Sequence, residues 1–470
     1  MNRDAPSPST AEPPAPAALH GEALTAADSA WLRVDRDHNQ MIITALLVLD
    51  DRLDYDVVQQ RLAQRLRVYP RLSKRIVPPR FGIGAPRWEE DPGFHIHRQT
   101  ERVQLPGAAD QGALEGFIGT LMDKSFDPSH PLWRIYYVDN FVRAPHAEHP
   151  AFLEKKLEGA ALVIRVHHCI ADGIALLGVL LSLADEPPEI RFPTAGAAWA
   201  KSGGRASQLE KLQQWVGVTL RGSIRFLRFW TGRSDPKTRF RSPLGERKHA
   251  ALSKPIPLAR IKDIGRALGG TVNEVLISAA AGALGHAVRE DATFHERLVM
   301  RGVVPVNLRG EEDLTELGNR FGLVFMPMPV GIRDAAARLG EVRRAMDDIK
   351  SSPEALGWFA LLRALGRVPS WIEALGVELF SRKASLVITS LAGPPEALHF
   401  CGTKIDQVMF WVPSAGNVGL GMSMLTYDNE VQLGVATDAN QHANPNEIVE
   451  AFEREIERLA NANSQENRDT

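Results

Sequence analysis

The chain is poor in cysteine. Two residues, Cys169 and Cys401, among 470 cannot build a disulfide framework or a cysteine-based zinc site, and they fit a reducing compartment. Long apolar runs are missing as well. The longest candidate, Gly173 to Ala184, falls short of the roughly 18 residues that a membrane-spanning helix needs. Neither sign of charge dominates: 55 Lys+Arg stand against 57 Asp+Glu, a formal net charge of −2. That balance gives no global attraction for nucleic acid, which would need a local patch. Met1 to His20 is Pro/Ala-rich and has no basic region followed by an apolar one, so no secretory signal is read. These absences lead to the expectation of a soluble, cytoplasmic protein.

What is present is globular in kind. Hydrophobic residues at 44% and charged residues at 24% exclude wholesale disorder and collagen-like or mucin-like chains. The length exceeds one ordinary core and predicts two or more domains. Residues 1–20 read as a disordered tail, having little to bury. From 21 to 185 helices and strands alternate. A strand fits Met41 to Leu49, and a helix fits Tyr55 to Val68 with an apolar stripe at Val58, Leu62 and Leu66. Gly112 to Lys124 reads as a helix and Trp133 to Val138 as a strand. Ala161 to Val166 is short and β-rich, which suits a buried strand.

From 186 to 254 the chain turns polar, with Pro187, Pro188, Pro193, Gly203 and Gly204 marking a linker. Within it Lys211 to Arg233 reads as an amphipathic helix without acidic residues. Lys211, Arg221, Arg225 and Arg228 share one face, and Trp215, Phe226 and Trp230 lie on the other. It either bridges two lobes or lies in a membrane or droplet surface. From 255 to 470 the α/β texture resumes. Thr271-Val272-Asn273-Glu274 is a capping-box signature opening a helix. Strands fit Leu298 to Val306, Leu323 to Val330, Ser385 to Leu391 and Gln407 to Val412. A hairpin turns at Tyr427-Asp428-Asn429-Glu430, and a last helix runs from Pro445 to about Leu459.

The cluster able to carry chemistry is His167-His168-Cys169-Ile170-Ala171-Asp172-Gly173, directly after a predicted strand. A histidine at a strand end can aim a ring nitrogen into a cleft, and its ordinary pKa suits a base near neutrality. Side chains alternate along a strand, so one of the pair faces the cleft. Gly173 keeps space open beside it. A two-histidine metal site is a competing reading, weakened because adjacent histidines point apart. A Cys169 nucleophile meets the same objection. The plainest alternative is two histidines satisfied by hydrogen bonds in a core turn.

Taken together, HHCIADG and its surroundings resemble the HHxxxDG signature of the chloramphenicol acetyltransferase-like superfamily, which includes condensation domains of peptide synthetases. More narrowly, the chain resembles bacterial wax ester synthase/diacylglycerol acyltransferases from about Thr25 to Asp438. The further landmarks are FDPSHPLW (Phe126 to Trp133), TVNEVLISAAAGAL (Thr271 to Leu284), VPVNLR (Val304 to Arg309), GNRFG (Gly318 to Gly322) and ITSLAGPP (Ile388 to Pro395).

The resemblance implies an α/β fold of two acetyltransferase-like lobes with mixed sheets and an active-site tunnel between them. It implies an O-acyltransferase that moves a long-chain acyl group from acyl-CoA to a fatty alcohol or diacylglycerol, making wax esters or triacylglycerol. Acyl-CoA is then a co-substrate, with no tightly bound cofactor and no metal. His168 would be the general base and His167 a loop-shaping neighbour. Asp172 would tie the motif loop to an arginine, with Arg75 as candidate. Thr389 and Ser390 stand where the family places a polar strand near the histidine, although relatives more often read Ser-Asn-Val-Pro-Gly-Pro there. Asn273 either orients substrate or caps its helix. Trp133 is a core aromatic or a tunnel wall, and Trp358, in the apolar region Leu356 to Phe380, is a second tunnel candidate. Trp215, Arg221, Arg225, Arg228 and Trp230 would meet a lipid surface, placing the protein peripherally on the inner membrane or lipid droplets. Two alternatives keep the fold: a condensation-type transferase using a carrier-bound acyl donor, and a non-catalytic droplet-binding relative.

Overall fold

A computed structural model describes residues 21–79, 84–143, 157–188, 234–308, 317–350, 370–413, 416–441 and 443–466. The first half runs β1 (Glu22–Ala23), α1 (Ala26–Val34), β2 (Ile42–Leu49), α2 (Tyr55–Leu66), β3 (Lys74–Val77), β4 (Arg87–Glu90), α3 (Ile96–Gln99), β5 (Thr100–Val103), α4 (Gln111–Met122), β6 (Trp133–Val138), β7 (Val142–Arg143), β8 (Leu157–Glu158), β9 (Ala160–His167) and α5 (Gly173–Ser182). The second half runs β10 (Lys248–Leu252), β11 (Ile256–Pro257), α6 (Leu258–Leu268), α7 (Val272–Ala287), β12 (Met300–Asn307), β13 (Phe321–Met328), α8 (Ala335–Lys350), α9 (Ser370–Ser381), β14 (Leu386–Ala392), β15 (His399–Phe400), β16 (Thr403–Trp411), β17 (Leu420–Tyr427), β18 (Glu430–Asp438) and α10 (Pro445–Glu466).

Two mixed sheets organise these elements. The first has the order β15-β16-β2-β9-β6-β5, the second β10-β18-β17-β14-β12-β13 with β11 beside β18. Parallel pairs, β5 with β6 and β14 with both β12 and β17, sit among antiparallel ones. β2 and β9 are buried along their whole length. A strand apolar on both faces belongs in a sheet interior, with layers above and below. Local signals work as the sequence suggests. Thr271 Oγ1 accepts from the Glu274 amide at 3.4 Å while Glu274 Oε2 accepts from the Thr271 amide at 2.8 Å, closing the capping box. Asp428 and Asn429 take φ of 48° and 59° at the hairpin tip, left-handed values that Asn and Asp tolerate well.

The contiguous division at 254 needs correction at two places. Lys248–Leu252, assigned to the linker, is strand β10 and pairs with β18 from Lys248↔Asp438 to Leu252↔Gly434. Strands β15 and β16, assigned to the second lobe, belong to the first sheet, where Ile405 faces Leu49 and Trp411 faces Thr44. The reason is backbone hydrogen bonding: β9 satisfies one edge of β2, and the other buried edge needs a strand that its own half does not supply. The last helix also runs on to Glu466. Among the described residues no single helix is long and apolar enough to cross a membrane.

Candidate active site

Strand β9 delivers the histidine pair. Its last residue, His167, lies opposite Ile42 of β2, and a turn follows at His168-Cys169-Ile170. The turn is pinned by backbone bonds: His167 N donates to Leu132 O at 2.9 Å, and His168 N to Met41 O at 2.7 Å. Asp172 then caps α5, its Oδ1 accepting from Ala175 N at 2.9 Å. This is the usual N-cap geometry, satisfying an amide that has no partner inside the helix. A Cβ placed on Gly173 would meet no atom of the described residues within 4 Å, so among them the start of α5 adjoins open space.

The second half closes the site through GNRFG. Asp172 N donates to Gly318 O at 3.2 Å, and Arg320 N donates to Asp172 Oδ2 at 3.0 Å. Between them Asn319 reaches His168: Nδ1 and Oδ1 lie 2.8 Å apart, and Asn319 Nδ2 donates to His168 O at 2.7 Å. The same Nδ2 also donates to Asp28 Oδ1 at 2.8 Å. Trp31 stacks on the His168 ring at 4.6 Å and 22°, and Phe321 packs at 5.5 Å. Enclosed this way, His168 is 9% exposed. Burial pushes its pKa down to about 4, against the pull of the Asp172 charge. Its imidazole is therefore neutral at physiological pH.

His167 has a different task. Its Nδ1 accepts from Cys169 N at 3.1 Å, and its Nε2 lies 3.6 Å from Asp35 Oδ2. Asp35 in turn accepts from Met41 N at 2.6 Å, so the ring sits between two backbone segments of the turn. The Cys169 thiol is buried and pushed well above its ordinary pKa by desolvation, which suppresses the thiolate that a nucleophile needs. Among the described residues, no group of three or more His, Cys, Asp and Glu is arranged to hold a metal ion.

Arg75 is not the partner of Asp172. It sits on β3 and lines a cavity of about 500 Å³ with Leu32, Ile76 and Leu132. Among the described residues, Arg71 reaches the motif loop, with Nη1 3.5 Å from Ile170 O and 3.3 Å from Asp28 Oδ2. Arg71 follows Pro70 in a short 3-10 turn, which carries it inward where the next strand's alternation turns Arg75 elsewhere.

The remaining candidates are dispersed. Thr389 is buried and Ser390 half-buried on β14, beside Ser423 and Met424 of β17. Asn273 lies in the first turn of α7 with its Oδ1 buried and unpartnered. No hydrogen bond or ring contact among the described residues joins these three to His168. Trp133 is 2% exposed and its Nε1 donates to Leu72 O at 2.7 Å. It lines a small apolar cavity, about 20 Å³, with Ile170 and Leu176. Trp358, Trp215, Arg221, Arg225, Arg228 and Trp230 lie outside the described residues. Sequence reasoning missed Asn319, Trp31, Phe321, Asp28 and Arg71 as site residues. The one signal was GNRFG, where Gly318 takes φ +126° and a Cβ there would meet Arg71 Nη1 at 3.0 Å.

Comparison with known proteins bears on this arrangement. The model of the wax ester synthase/diacylglycerol acyltransferase catalytic domain matches residues 24–147 and 156–276, and that of the WS/DGAT C-terminal domain matches 317–460. A Mycobacterium tuberculosis protein named "Probable diacyglycerol O-acyltransferase tgs1" is 25% identical over 459 residues, covering 93% of this chain and 95% of that protein. The solved wax ester synthase/diacylglycerol acyltransferase from Marinobacter aquaeolei superposes with a TM-score of 0.67 at 18% identity, covering 94% of this chain and all of that one. The first condensation domain of the calcium-dependent antibiotic synthetase follows at a TM-score of 0.57 and 15% identity, covering 94% and 95% of the two chains. At such identities the two superpositions speak for the fold.

Proposed function

The chain belongs to the wax ester synthase/diacylglycerol acyltransferase family, and from that premise we propose that it moves a long-chain acyl group from acyl-CoA to a fatty alcohol or diacylglycerol, with His168 as general base. The observation that carries this reading is the enclosed, neutral His168 ring, whose Nδ1 is taken by Asn319. Its Nε2 is then the nitrogen that meets the acceptor hydroxyl. As the hydroxyl oxygen attacks the thioester carbonyl, its proton passes to Nε2. The tetrahedral intermediate collapses, the carbon–sulfur bond breaks, and the departing thiolate takes the proton from His168. Ester and free coenzyme A result, with no acyl-enzyme.

A base with so low a pKa does not hold the proton for long. It receives the proton as the attack develops and returns it to sulfur, so the rest of the acceleration lies in positioning and in stabilising the oxyanion. Thr389 and Ser390 are proposed for the oxyanion, supported by their place on β14 between β12 and β17. Asn273 is proposed to orient substrate, supported by its unpartnered Oδ1. Trp358 is proposed for the acceptor tunnel. Asp172 holds the loop through its two backbone partners.

Incubation with palmitoyl-CoA plus either hexadecanol or diolein tests the reading. Ester and free thiol should appear in equal amounts and only with acceptor present. Thiol release without ester would instead mark a thioesterase. Substrates this apolar reside in lipid, and we assign the basic segment Lys211 to Arg233 to contact with a membrane or droplet surface. Joint Glu substitution of Arg221, Arg225 and Arg228 should abolish most binding to vesicles rich in anionic lipid, measured by co-sedimentation. Unchanged binding would return that segment to an interlobe role.

A further inference from the structure

We propose that Asn319 is a positioning residue for the transfer reaction: its Oδ1 holds the His168 ring as the Nδ1–H tautomer, so that Nε2 carries the lone pair. The Arg71–Asp28 pair holds the Asn319 amide in the sense this requires. The inference rests on His168 acting as the base, and extends it to what prepares that base.

The orientation of the amide follows from its neighbours. Asn319 Nδ2 lies 2.7 Å from His168 O and 2.8 Å from Asp28 Oδ1. Both of those atoms accept. Exchanging the amide oxygen and nitrogen would lose both bonds and set an oxygen against a carboxylate, inside a region where Asn319 is 6% and Asp28 0% exposed. Leaving buried polar atoms unpaired is costly. With Nδ2 so committed, Oδ1 is the atom at 2.8 Å from His168 Nδ1, and an oxygen there requires a donor on the ring. The proton is therefore on Nδ1, against the ordinary preference of a histidine side chain for Nε2. It stays there throughout: the hydroxyl proton joins Nε2, then leaves with the coenzyme A thiolate.

Asp28 does not float free. Arg71 Nη1 lies 3.3 Å from its Oδ2, Arg71 also reaches Ile170 O, and its guanidinium sits 5.5 Å from the Trp88 ring. The sequence of contacts is Arg71, Asp28, Asn319, His168. A carboxylate directly on Nδ1 would stabilise the imidazolium; an amide fixes the tautomer while leaving the ring weakly basic. The groups that act on His168 charge are Asp172, its own backbone carbonyl and His167 from its own loop, and Asn319 from the second half, with Asp28 and Arg71 behind. The base is thus completed by a residue 151 positions away.

Nitrogen-15 NMR of histidine-labelled wild-type protein decides the tautomer without reference to activity. His168 should show a protonated Nδ1 and a bare Nε2, and the reverse pattern overturns the proposal. Asn319→Ala should lower kcat roughly 10- to 100-fold, a part of what a general base supplies, with KM for palmitoyl-CoA within twofold and the His168 signals those of mixed tautomers. Asn319→Asp keeps an acceptor on Nδ1 and adds charge, so the acid limb of kcat/KM should move upward. A fall in kcat with tautomer and pH profile both unmoved would make Asn319 merely structural and sink the idea. Should His168→Ala retain ester formation, the general-base reading fails by itself, whatever the spectra show for Asn319.

Discussion

Two histidine networks of this protein, one enclosed and one partly exposed, are built differently. In the first, His168 meets an amide and two aromatic rings. In the second, the partly exposed His286 of α7 meets charged side chains at one ring nitrogen. Its Nε2 lies 2.9 Å from Glu455 Oε1 and 3.1 Å from Arg458 Nη1. The other Glu455 oxygen pairs with Arg338, whose remaining nitrogens donate to Ser278 O at 2.9 Å and Ile332 O at 3.0 Å. That network ties α7, α8 and α10 together, with Arg338 and Glu455 almost wholly enclosed. Desolvation lowers both histidines, but Glu455 opposes it at His286. Among the described residues, the His168 network leaves one ring nitrogen uncommitted and open space at Gly173.

The sharpest way to break the contrast is to remove each centre in turn. His168→Ala should lower ester formation by roughly 10²- to 10⁴-fold while leaving the melting temperature nearly unchanged, as read by product assay and thermal denaturation. Near-normal turnover would remove the base assignment. Glu455→Ala should do the reverse. Stripping the counter-charge from buried Arg338 costs about 3–5 kcal/mol, seen as a shift in the urea midpoint, while the protein that remains folded should keep its kcat. A large loss of kcat with unchanged stability would erase the distinction between the networks.

A smaller effect concerns pH. With its pKa at about 4, His168 stays unprotonated well below the range of an ordinary histidine, so the acid limb of kcat/KM for wild type should lie near 4 and not near 6.5. The linkage sign follows. The unfolded chain takes up a proton near 6.5 and the folded ring resists it until about 4. Folding stability is thus fully present above 6.5 and falls as pH drops through that window, by on the order of 3 kcal/mol. His168→Ala should lack that share of the acid destabilisation in paired urea titrations at pH 7 and pH 4.5. Parallel pH curves for the two proteins would refute the depressed pKa.

Much of this fold was legible because its signals are local. The short β-rich run Ala161 to Val166, the Thr271–Glu274 capping box and the Asp428-Asn429 turn all depend on neighbours within a few residues, and each appears in the structure. Helix ends were less exact: α2 stops at Leu66, not Val68, and α10 runs seven residues beyond Leu459 to Glu466. The crossover of β16 was not legible, because its own pattern of buried Ile405, Val408 and Phe410 suits a strand in either sheet. Arg71 and Arg75 differ by four positions, and only the 3-10 turn between them decides which one faces the motif loop.

By itself, the sequence determined the family, the α/β texture of both halves and the His pair at a strand end, with Asp172 and Gly173 in the turn behind it. Those depend on short-range periodicity, capping chemistry and a motif whose members are adjacent. Only the tertiary structure decided which side chain meets His168 Nδ1. Asn319 reaches His168 from the second half and Trp31 reaches it from α1, through hydrogen bonds and a ring stack that no periodicity encodes. A hydrogen bond made at 2.8 Å between residues 151 apart is a property of the folded packing, since the chain between them is free to place those atoms elsewhere until both sheets have formed.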